Sequence, residues 1–291
     1  MLVIGGSAST SLAESISREL GSASFTLPFK KRFPDGEMYV RVGGRLDGED
    51  VVLVQSIRKD EDIIELFLLE DAIHEGGART LSVVIPYFGY SRQDKVFFPG
   101  EPVSARAIAR RVEMGADLVV TVDLHSPLNR LIFTKPLREA SGIPAIARIL
   151  RNRPVDLLIS PDKGGVERCE RMAKILDKPW MALQKKRLDS EHVEIQLPPG
   201  APDVKGKHVV IVDDVISTGG TIVESARLLS KVGAANVTAT CTHGLFLKDA
   251  FERLKAVVGE ILATDTIDNA AKTASVAPDI ASILKDTEVA K

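Results

Sequence analysis

Cysteine is scarce in this sequence. Among 291 residues only Cys169 and Cys241 occur, far apart and outside any C-x-x-C spacing. Disulfide frameworks and structural zinc sites need more cysteines at closer spacing, so this usage argues against both. Isolated thiols that serve as small apolar side chains are typical of a reducing compartment, and we therefore expect the protein to be cytoplasmic.

Excess charge and long apolar runs are also lacking. The formal net charge is −2 and the isoelectric point is about 6.3, so the chain has no general basic field that would attract nucleic acid or an anionic membrane. The first residues lack a positively charged segment followed by an apolar stretch, and no run approaches the roughly 18 apolar residues that a membrane span needs. We expect neither nucleic acid nor membrane as a partner.

Short runs rich in β-branched residues alternate with stretches of helical period, a pattern that predicts an α/β protein with parallel sheets flanked by helices. The length suits two domains. A connecting segment with proline and glycine, residues 134–144, lies between the halves, and we predict domains 1–141 and 142–291. The final stretch, from residue 274 on, is too short to fold alone, so it either docks on the N-terminal domain or frays.

Individual elements can be predicted in both halves. Leu12, Ile16 and Leu20 recur at helical spacing and Gly21 suits the helix end. The other predicted helices are residues 62–77, a helix capped by Ser104, and residues 166–176 and 221–233. The predicted strands are residues 80–85, 116–126, 156–160, 208–214 and 236–244.

The stretch VVIVDDVISTGGTI carries the strongest chemical signal. An apolar strand leads into Asp213 and Asp214, and a loop of hydroxyls and glycines, residues 217–221, precedes the next helix. Backbone N–H groups in such a loop and the positive end of the helix can surround a phosphate, while the carboxylates can accept hydrogen bonds from a vicinal diol. The pattern favours a sugar phosphate, and a simple helix cap with a turn is the structural alternative.

Five segments together resemble the motifs of one family. VVIVDDVISTGGTI resembles the phosphoribosyl-pyrophosphate loop of the type I phosphoribosyltransferase fold. RFPDGEMYV, PYFGYSRQDK, VDLHS and SPDKGG resemble, in order, further motifs of the ribose-phosphate pyrophosphokinases. The resemblance implies two phosphoribosyltransferase-like domains and transfer of pyrophosphate from ATP to the 1-hydroxyl of ribose 5-phosphate, with Mg²⁺ as cofactor. The product, phosphoribosyl pyrophosphate, serves nucleotide biosynthesis.

The resemblance also implies roles for individual residues. A hairpin would reach the ATP site of a neighbouring subunit, so the protein would be a homo-oligomer of at least two chains. ATP would be bound by Phe33, Asp35, Glu37, Arg92 and Gln93. Mg²⁺ would be held by His125 and Asp162, and pyrophosphate by the loop with Asp162, Gly164 and Gly165. Lys185 and Arg187 would be catalytic, and ribose 5-phosphate would contact Arg187, Asp213, Asp214, Ser217, Thr218, Gly219, Gly220 and Thr221.

Alternatives remain open for several of these residues. Arg92 could be a solvated turn residue, His125 a core or capping residue, and the run QKKRLDSEH a solvated loop. At the level of function, a phosphoribosyltransferase that consumes phosphoribosyl pyrophosphate would lack the hairpin and the Arg92–Gln93 pair. A non-catalytic sensor with this fold would lack His125 or the cationic loop.

Overall fold

The computed structural model describes residues 1–21, 24–187 and 193–289. Its strands are β1 (Leu2–Gly5), β2 (Ser24–Thr26), β3 (Phe29–Arg32), β4 (Met38–Arg41), β5 (Asp50–Val54), β6 (Thr80–Ile85), β7 (Leu118–Val122), β8 (Leu137–Ala140), β9 (Leu157–Ser160), β10 (Trp180–Ala182), β11 (Gln184–Arg187), β12 (Val193–Gln196), β13 (His208–Ile216), β14 (Asn236–Gly244), β15 (Glu260–Thr264) and β16 (Lys272–Ala274). Its helices are α1 (Thr10–Leu20), α2 (Asp60–Glu75), α3 (Ser104–Val112), α4 (Ile143–Leu150), α5 (Val166–Leu176), α6 (Gly220–Lys231), α7 (Ala250–Lys255) and α8 (Ala277–Val289).

The chain divides into two compact units. Unit 1 comprises residues 1–140, 266–268 and the chain from 276 onward, and unit 2 comprises residues 141–265 and 269–275. Each unit contains a six-stranded parallel sheet and one antiparallel hairpin. The predicted α/β class with mainly parallel sheets is therefore confirmed.

The sheet of unit 1 has the strand order β2-β1-β5-β6-β7-β8. Its central strands are apolar on both faces, as expected where helices cover both sides of a parallel sheet. Ile4, Leu53 and Ile85 are fully buried and pack with the apolar stripe of α2. Helix α8 belongs to this unit and packs against α1.

The sheet of unit 2 has the order β10-β9-β13-β14-β15-β16. Ile159, Ile211 and Ala239 of its central strands are fully buried, and α6 closes one face through Ala226 and Leu229. The strand-to-helix loops β9–α5 and β13–α6 leave neighbouring strands at the same edge, because β9 and β13 pair in parallel. That edge holds the predicted sugar-phosphate and pyrophosphate loops of this unit.

The predicted helices and strands of both halves are present, with three corrections. The strand predicted over residues 116–126 is shorter, because β7 ends at Val122 and Asp123 adopts a φ of 37°. Ser104 is not the N-cap of α3 as predicted: it is the first helical residue, Val103 precedes it, and its hydroxyl donates to Gln93 Oε1 instead of capping. Strand β13 does not end at the acid pair, because Val215 and Ile216 continue the ladder with β14 and Ile216 is buried.

Helix α1 illustrates why the periodic segments fold as predicted. Leu12 and Ile16 are fully buried, and Gly21 ends the helix with a φ of 81°, which residues with a Cβ rarely adopt. Across the described part of the chain, no helix is both long and apolar enough to cross a membrane.

Candidate active site

The loop after β13 carries the predicted phosphate-binding residues of unit 2. Ser217 and Thr218 leave the strand, Gly219 is the residue before α6, and Gly220 and Thr221 form its first turn. The first N–H groups of a helix have no partner within the helix, so this turn presents donors to an anion. The five predicted residues are therefore contiguous around one helix N-terminus.

Hydrogen bonds from residues after β14 fix the shape of the 217–221 loop. Leu247 N donates to Ser217 O at 3.0 Å, and Arg253 Nη2 donates to Thr218 O at 2.5 Å. Gly219 adopts a φ of 73°, and a Cβ at that position would lie 3.4 Å from Leu254 Cδ1. Carbonyl oxygens that are already hydrogen-bonded to protein do not compete for a ligand, so the loop is organised to offer its N–H groups.

The acid pair lies inside β13, and its two members differ. Asp214 is buried, with 3% of its surface exposed, whereas Asp213 is half-buried. Asp214 Oδ1 forms an ion pair with Arg168 Nη2 at 2.9 Å, and Asp213 Oδ1 accepts a hydrogen bond from Asp214 N at 2.9 Å. The sequence analysis assigned both acids to the sugar, and the structure shows that Asp214 in addition pairs with a protein cation.

The protonation of the pair follows from this arrangement. Burial raises the pKa of Asp213 well above its ordinary value, and the adjacent Asp214 carboxylate raises it further, while Arg168 opposes the shift. The pair can therefore offer one ionised acceptor and one carboxyl that takes up a proton readily. A cation or a diol placed beside Asp213 would relieve the repulsion between the two acids.

The second strand-end loop of unit 2 follows β9. Asp162 Oδ1 accepts a hydrogen bond from Gly164 N at 2.9 Å, and Ser160 Oγ donates to Asp162 O at 2.7 Å. Gly165 packs so tightly that a Cβ there would lie 2.7 Å from Ser160 Oγ. A side chain at this point would displace Ser160, and the first N–H groups of the following helix α5 have no partner within the helix.

Lys185 and Arg187 lie in β11, which pairs with β12 as an antiparallel hairpin. The register places Lys185 opposite Ile195 and Arg187 opposite Val193. The remainder of the predicted cationic loop, residues 188–192, lies outside the described residues. The backbone thus shows these two positions on a strand rather than in an irregular loop.

In unit 1, the predicted hairpin RFPDGEMYV is confirmed as β3 and β4 joined by residues 33–37. Phe33 N donates to Glu37 O, and Gly36 N donates to Phe33 O, each at 2.9 Å. Phe33 is 40% exposed and packs edge-on against Tyr39 with ring centroids 5.7 Å apart, while the side chains of Asp35 and Glu37 are exposed. An aromatic face and two carboxylates are thus presented together at the hairpin tip.

Two ion pairs fasten this hairpin to α2. Lys30 bonds Glu65, whose side chain is fully buried, and Arg32 bonds Glu61 at 2.7 Å on the exposed side. Glu65 also accepts hydrogen bonds from Ser7 N at 2.7 Å and Ser7 Oγ at 2.5 Å. Residues two apart on a strand thereby meet residues four apart on a helix, which fixes the direction of the hairpin.

Two further predicted residues lie in the loop after β6. Arg92 is exposed, and Gln93 accepts a hydrogen bond from Ser104 Oγ through its amide oxygen. Glu101 is bonded by Phe98 N and Phe97 N, which together with Gln93 lower its pKa. The amide of Gln93 is therefore held in a network within the protein, whereas Arg92 extends toward solvent.

His125 lies three residues after β7, and its side chain is exposed. Within the described ranges no cluster of three or more His, Cys, Asp or Glu side chains could hold a metal ion. Mg²⁺ prefers oxygen ligands, often takes only one or two carboxylates from a protein and keeps several waters, so a site of few protein ligands fits it. The half-buried carboxylate of Asp162 is a suitable oxygen donor.

Sequence reasoning missed the contacts of Arg168 with Asp214 and of Lys30 with Glu65, which hold the acid pair and the hairpin. Arg168 lies in the first turn of α5, where the helix dipole disfavours a cation. A basic residue at that position therefore signals an acidic partner elsewhere in the chain. No comparable local signal distinguishes Lys30 and Glu65, because their contact joins a strand and a helix 35 residues apart.

Comparison with known proteins identifies the family of this chain. A family model described as the N-terminal domain of ribose phosphate pyrophosphokinase matches residues 1–115, and a phosphoribosyl transferase domain model matches residues 132–275. The ribose-phosphate pyrophosphokinase of Methanopyrus kandleri is 41% identical over 98% of this chain and 99% of its own. Ribose-phosphate pyrophosphokinase 2 of Archaeoglobus fulgidus is 42% identical over 93% of each chain.

A solved structure extends the similarity to the whole fold. The crystal structure of phosphoribosylpyrophosphate synthetase from Mycobacterium smegmatis superposes with a TM-score of 0.84 at 27% identity, covering 100% of this chain and 99% of that one. The family expected from the sequence motifs is confirmed by both kinds of comparison. The chain belongs to the ribose-phosphate pyrophosphokinase family.

Proposed function

We propose that this chain transfers the pyrophosphoryl group of MgATP to the 1-hydroxyl of ribose 5-phosphate, giving phosphoribosyl pyrophosphate and AMP, through the residues described above. The observation that carries the proposal is the edge of unit 2, where the acid pair and two glycine-containing strand-end loops leave adjacent parallel strands. In open α/β sheets, ligands bind at the carboxyl ends of the strands. Family membership supplies the reaction.

Ribose 5-phosphate would bind at the 217–221 loop. The N–H groups of Gly220 and Thr221 at the start of α6 would receive the 5-phosphate, with the hydroxyls of Ser217 and Thr218 as further donors. Asp213, the more accessible member of the acid pair, would accept hydrogen bonds from the ring hydroxyls. The sugar would thereby be held at both ends, which fixes its 1-hydroxyl.

ATP would use residues of unit 1 together with a second copy of the chain. Arg92, which is exposed, suits nucleotide phosphate because its planar fork can bond two oxygens at once. Phe33 would stack on adenine, and Asp35 and Glu37 would accept hydrogen bonds from its exocyclic amine. These tip residues are exposed within their own chain, so we infer a homo-oligomer in which each hairpin completes a neighbour's site.

Mg²⁺ would be bound by Asp162 and by His125, the latter directly or through a water molecule. When bound, it would neutralise the phosphate oxygens of ATP. The donor set fits this ion because Asp162 supplies oxygen and the phosphates supply the remainder. The 162–165 loop would hold the transferred pyrophosphate through backbone N–H groups at the start of α5.

The chemistry would be an in-line displacement at the β-phosphorus. The oxygen of the 1-hydroxyl would attack and release its proton to water, the bond between the β-phosphorus and the oxygen bridging it to the α-phosphorus would break, and AMP would leave with that oxygen. Because phosphoryl transfer needs little covalent help from protein, the enzyme contributes alignment and cations. Lys185 and Arg187 would meet the charge that grows in the transition state.

Location and partners complete the proposal. We infer a cytoplasmic enzyme whose partners are ATP, ribose 5-phosphate and further copies of itself. Nucleic acid and membrane are not proposed as partners, because the net charge of −2 provides no general attraction to either.

The test is an omission experiment. Purified protein is incubated with ATP, Mg²⁺ and ribose 5-phosphate, and AMP and phosphoribosyl pyrophosphate are quantified by chromatography, with each component left out in turn. We expect equal amounts of both products only in the complete mixture. Absence of AMP, or turnover of phosphoribosyl pyrophosphate with a base in the absence of ATP, would refute the proposal in favour of the transferase or the sensor.

A further inference from the structure

The ion pair between Arg168 and Asp214 connects two loops that the proposed function uses separately. Arg168 lies on the first turn of α5, directly after the 162–165 loop, and Asp214 lies on β13, shortly before the 217–221 loop. Their side chains are 17% and 4% exposed, and Nη2 and Oδ1 are 2.9 Å apart. A charged hydrogen bond this far from solvent is screened weakly by salt and holds its partners closely.

The guanidinium of Arg168 depends on its ion pair with Asp214. Its Nε–H is buried and has no hydrogen-bond partner among the residues that the structure describes. A cation in the first turn of a helix is also disfavoured by the helix dipole. Asp214 therefore compensates an otherwise unfavourable placement, and the pair is stable only as a unit, because removal of one member leaves an uncompensated buried charge.

The ion pair also makes the two carboxylates unequal. With Asp214 committed to Arg168 and 3% exposed, Asp213 is the member that a sugar can reach. Asp213 Oδ1 is oriented by the Asp214 N–H at 2.9 Å. Any displacement of Asp214 therefore moves the donor that orients Asp213, and the effect of Arg168 reaches the sugar site through one intermediate residue.

From these contacts we propose that Arg168 is a positioning residue for ribose 5-phosphate. It fixes Asp214, so that Asp213 alone meets the ring hydroxyls, and it ties the start of α5 to β13, so that the 162–165 and 217–221 loops keep a constant separation. This inference rests on the proposed function and deepens it. Arg168 touches no substrate, and its effect is on the geometry with which the sugar is held.

The test compares Arg168→Met and Arg168→Lys with Arg171→Met. Arg171 is exposed on the same helix and serves as the matched control for loss of a cation from α5. Dissociation constants for ribose 5-phosphate are measured by titration calorimetry, and KM values for both substrates by AMP formation. Thermal unfolding is recorded for every variant to separate loss of folded protein from loss of affinity.

We expect Arg168→Met to weaken ribose 5-phosphate binding by about 10- to 100-fold, the range that one charged hydrogen bond supports. KM for ATP should change much less than KM for ribose 5-phosphate, because the 162–165 loop keeps its own hydrogen bond between Asp162 and Gly164, whereas the orientation of Asp213 depends on Asp214. Arg168→Lys should recover part of the loss because it retains the charge, and Arg171→Met should behave as wild type.

Wild-type affinity for ribose 5-phosphate in Arg168→Met overturns the inference. So does an equal rise in KM for both substrates with no benefit from lysine, which would indicate a purely structural role. If Arg168→Met does not fold, Arg168→Lys decides: a selective rise in KM for ribose 5-phosphate supports the inference, and any other result rejects it. A wild-type protein that forms no AMP refutes the proposed function instead, so the two failures are distinguishable.

Discussion

The attachment of the hairpin to α2 provides a sharp test of the link between stability and ATP binding. Replacing Lys30 by Met removes the cation from Glu65, whose carboxylate has no solvent exposure. Breaking a buried ion pair by removing one partner costs about 3–5 kcal/mol. Because Lys30 is 31% exposed and Ser7 still donates two hydrogen bonds to the carboxylate, we expect a smaller cost of about 2–3 kcal/mol.

Arg32→Met is the matched control. It removes a cation from the same strand, and this cation contacts the same helix. Arg32 and Glu61 are, however, 46% and 51% exposed, and exposed ion pairs contribute about 0–1 kcal/mol to stability. Urea denaturation of both variants gives the difference in the free energy of unfolding. Equal losses within about 0.5 kcal/mol would refute the reasoning, because burial would then not determine the strength of the anchor.

The same variants test the function of the hairpin. If its tip completes a neighbouring ATP site, Lys30→Met should raise KM for ATP and leave KM for ribose 5-phosphate unchanged, since the proposed sugar-binding residues lie in unit 2. If Lys30→Met is destabilised as expected but its KM for ATP is unchanged, the hairpin does not take part in nucleotide binding.

Three further predictions follow from single positions. Burial raises the pKa of Glu70 to about 8, so its proton is lost in the unfolded chain from about pH 4.5 and in the folded chain only near pH 8. The free energy of unfolding should therefore fall by up to ~5 kcal/mol as the pH rises through that interval. Glu70→Gln should flatten the dependence of Tm on pH, and an unchanged slope of Tm against pH in this variant would contradict the prediction. Gly165→Ala, whose Cβ would meet Ser160 Oγ at 2.7 Å, should cost about 1–3 kcal/mol in thermal unfolding, with Gly164→Ala costing less. Gly219→Ala places a Cβ on a residue with a φ of 73°, so it should lower the free energy of unfolding by about 1–2 kcal/mol and weaken ribose 5-phosphate binding. Gly220→Ala is the control, because a Cβ there meets nothing within 4 Å and should not lower the stability by strain. Equal losses of stability in the two variants would contradict the conformational argument.

Local patterns were sufficient to predict most of the fold. Leu12 and Ile16 at helical spacing, the apolar strand before Asp213 and the turn at Gly36 each reflect physics within a few residues. The hydrophobic period decides helix or strand, and glycine marks the positions with positive φ. These elements were confirmed because burial of their apolar side agrees with their local preference.

The errors and omissions arose where distant residues decide the outcome. Serine is a residue type that often caps the N-terminus of a helix, but the hydroxyl of Ser104 donates to Gln93 in the preceding loop. Strand β13 runs past the acids because β14 extends beside it. The inequality of Asp213 and Asp214 depends on Arg168, 46 residues earlier in the chain, and no local pattern could predict that contact.

The central claim is that the 1-hydroxyl oxygen of ribose 5-phosphate attacks the β-phosphorus of ATP at the edge of unit 2. The most direct measurement uses ribose 5-phosphate labelled with ¹⁸O at C1, with Mg²⁺, ATP and the wild-type protein, and mass spectrometry of the products. We predict that the label still present in ribose 5-phosphate at the time of reaction is retained in the oxygen between C1 and phosphorus of phosphoribosyl pyrophosphate, with none in AMP. Label in AMP, or loss of label from C1 beyond the exchange with water measured for ribose 5-phosphate without enzyme, would show that a different bond is formed or broken and would contradict the account.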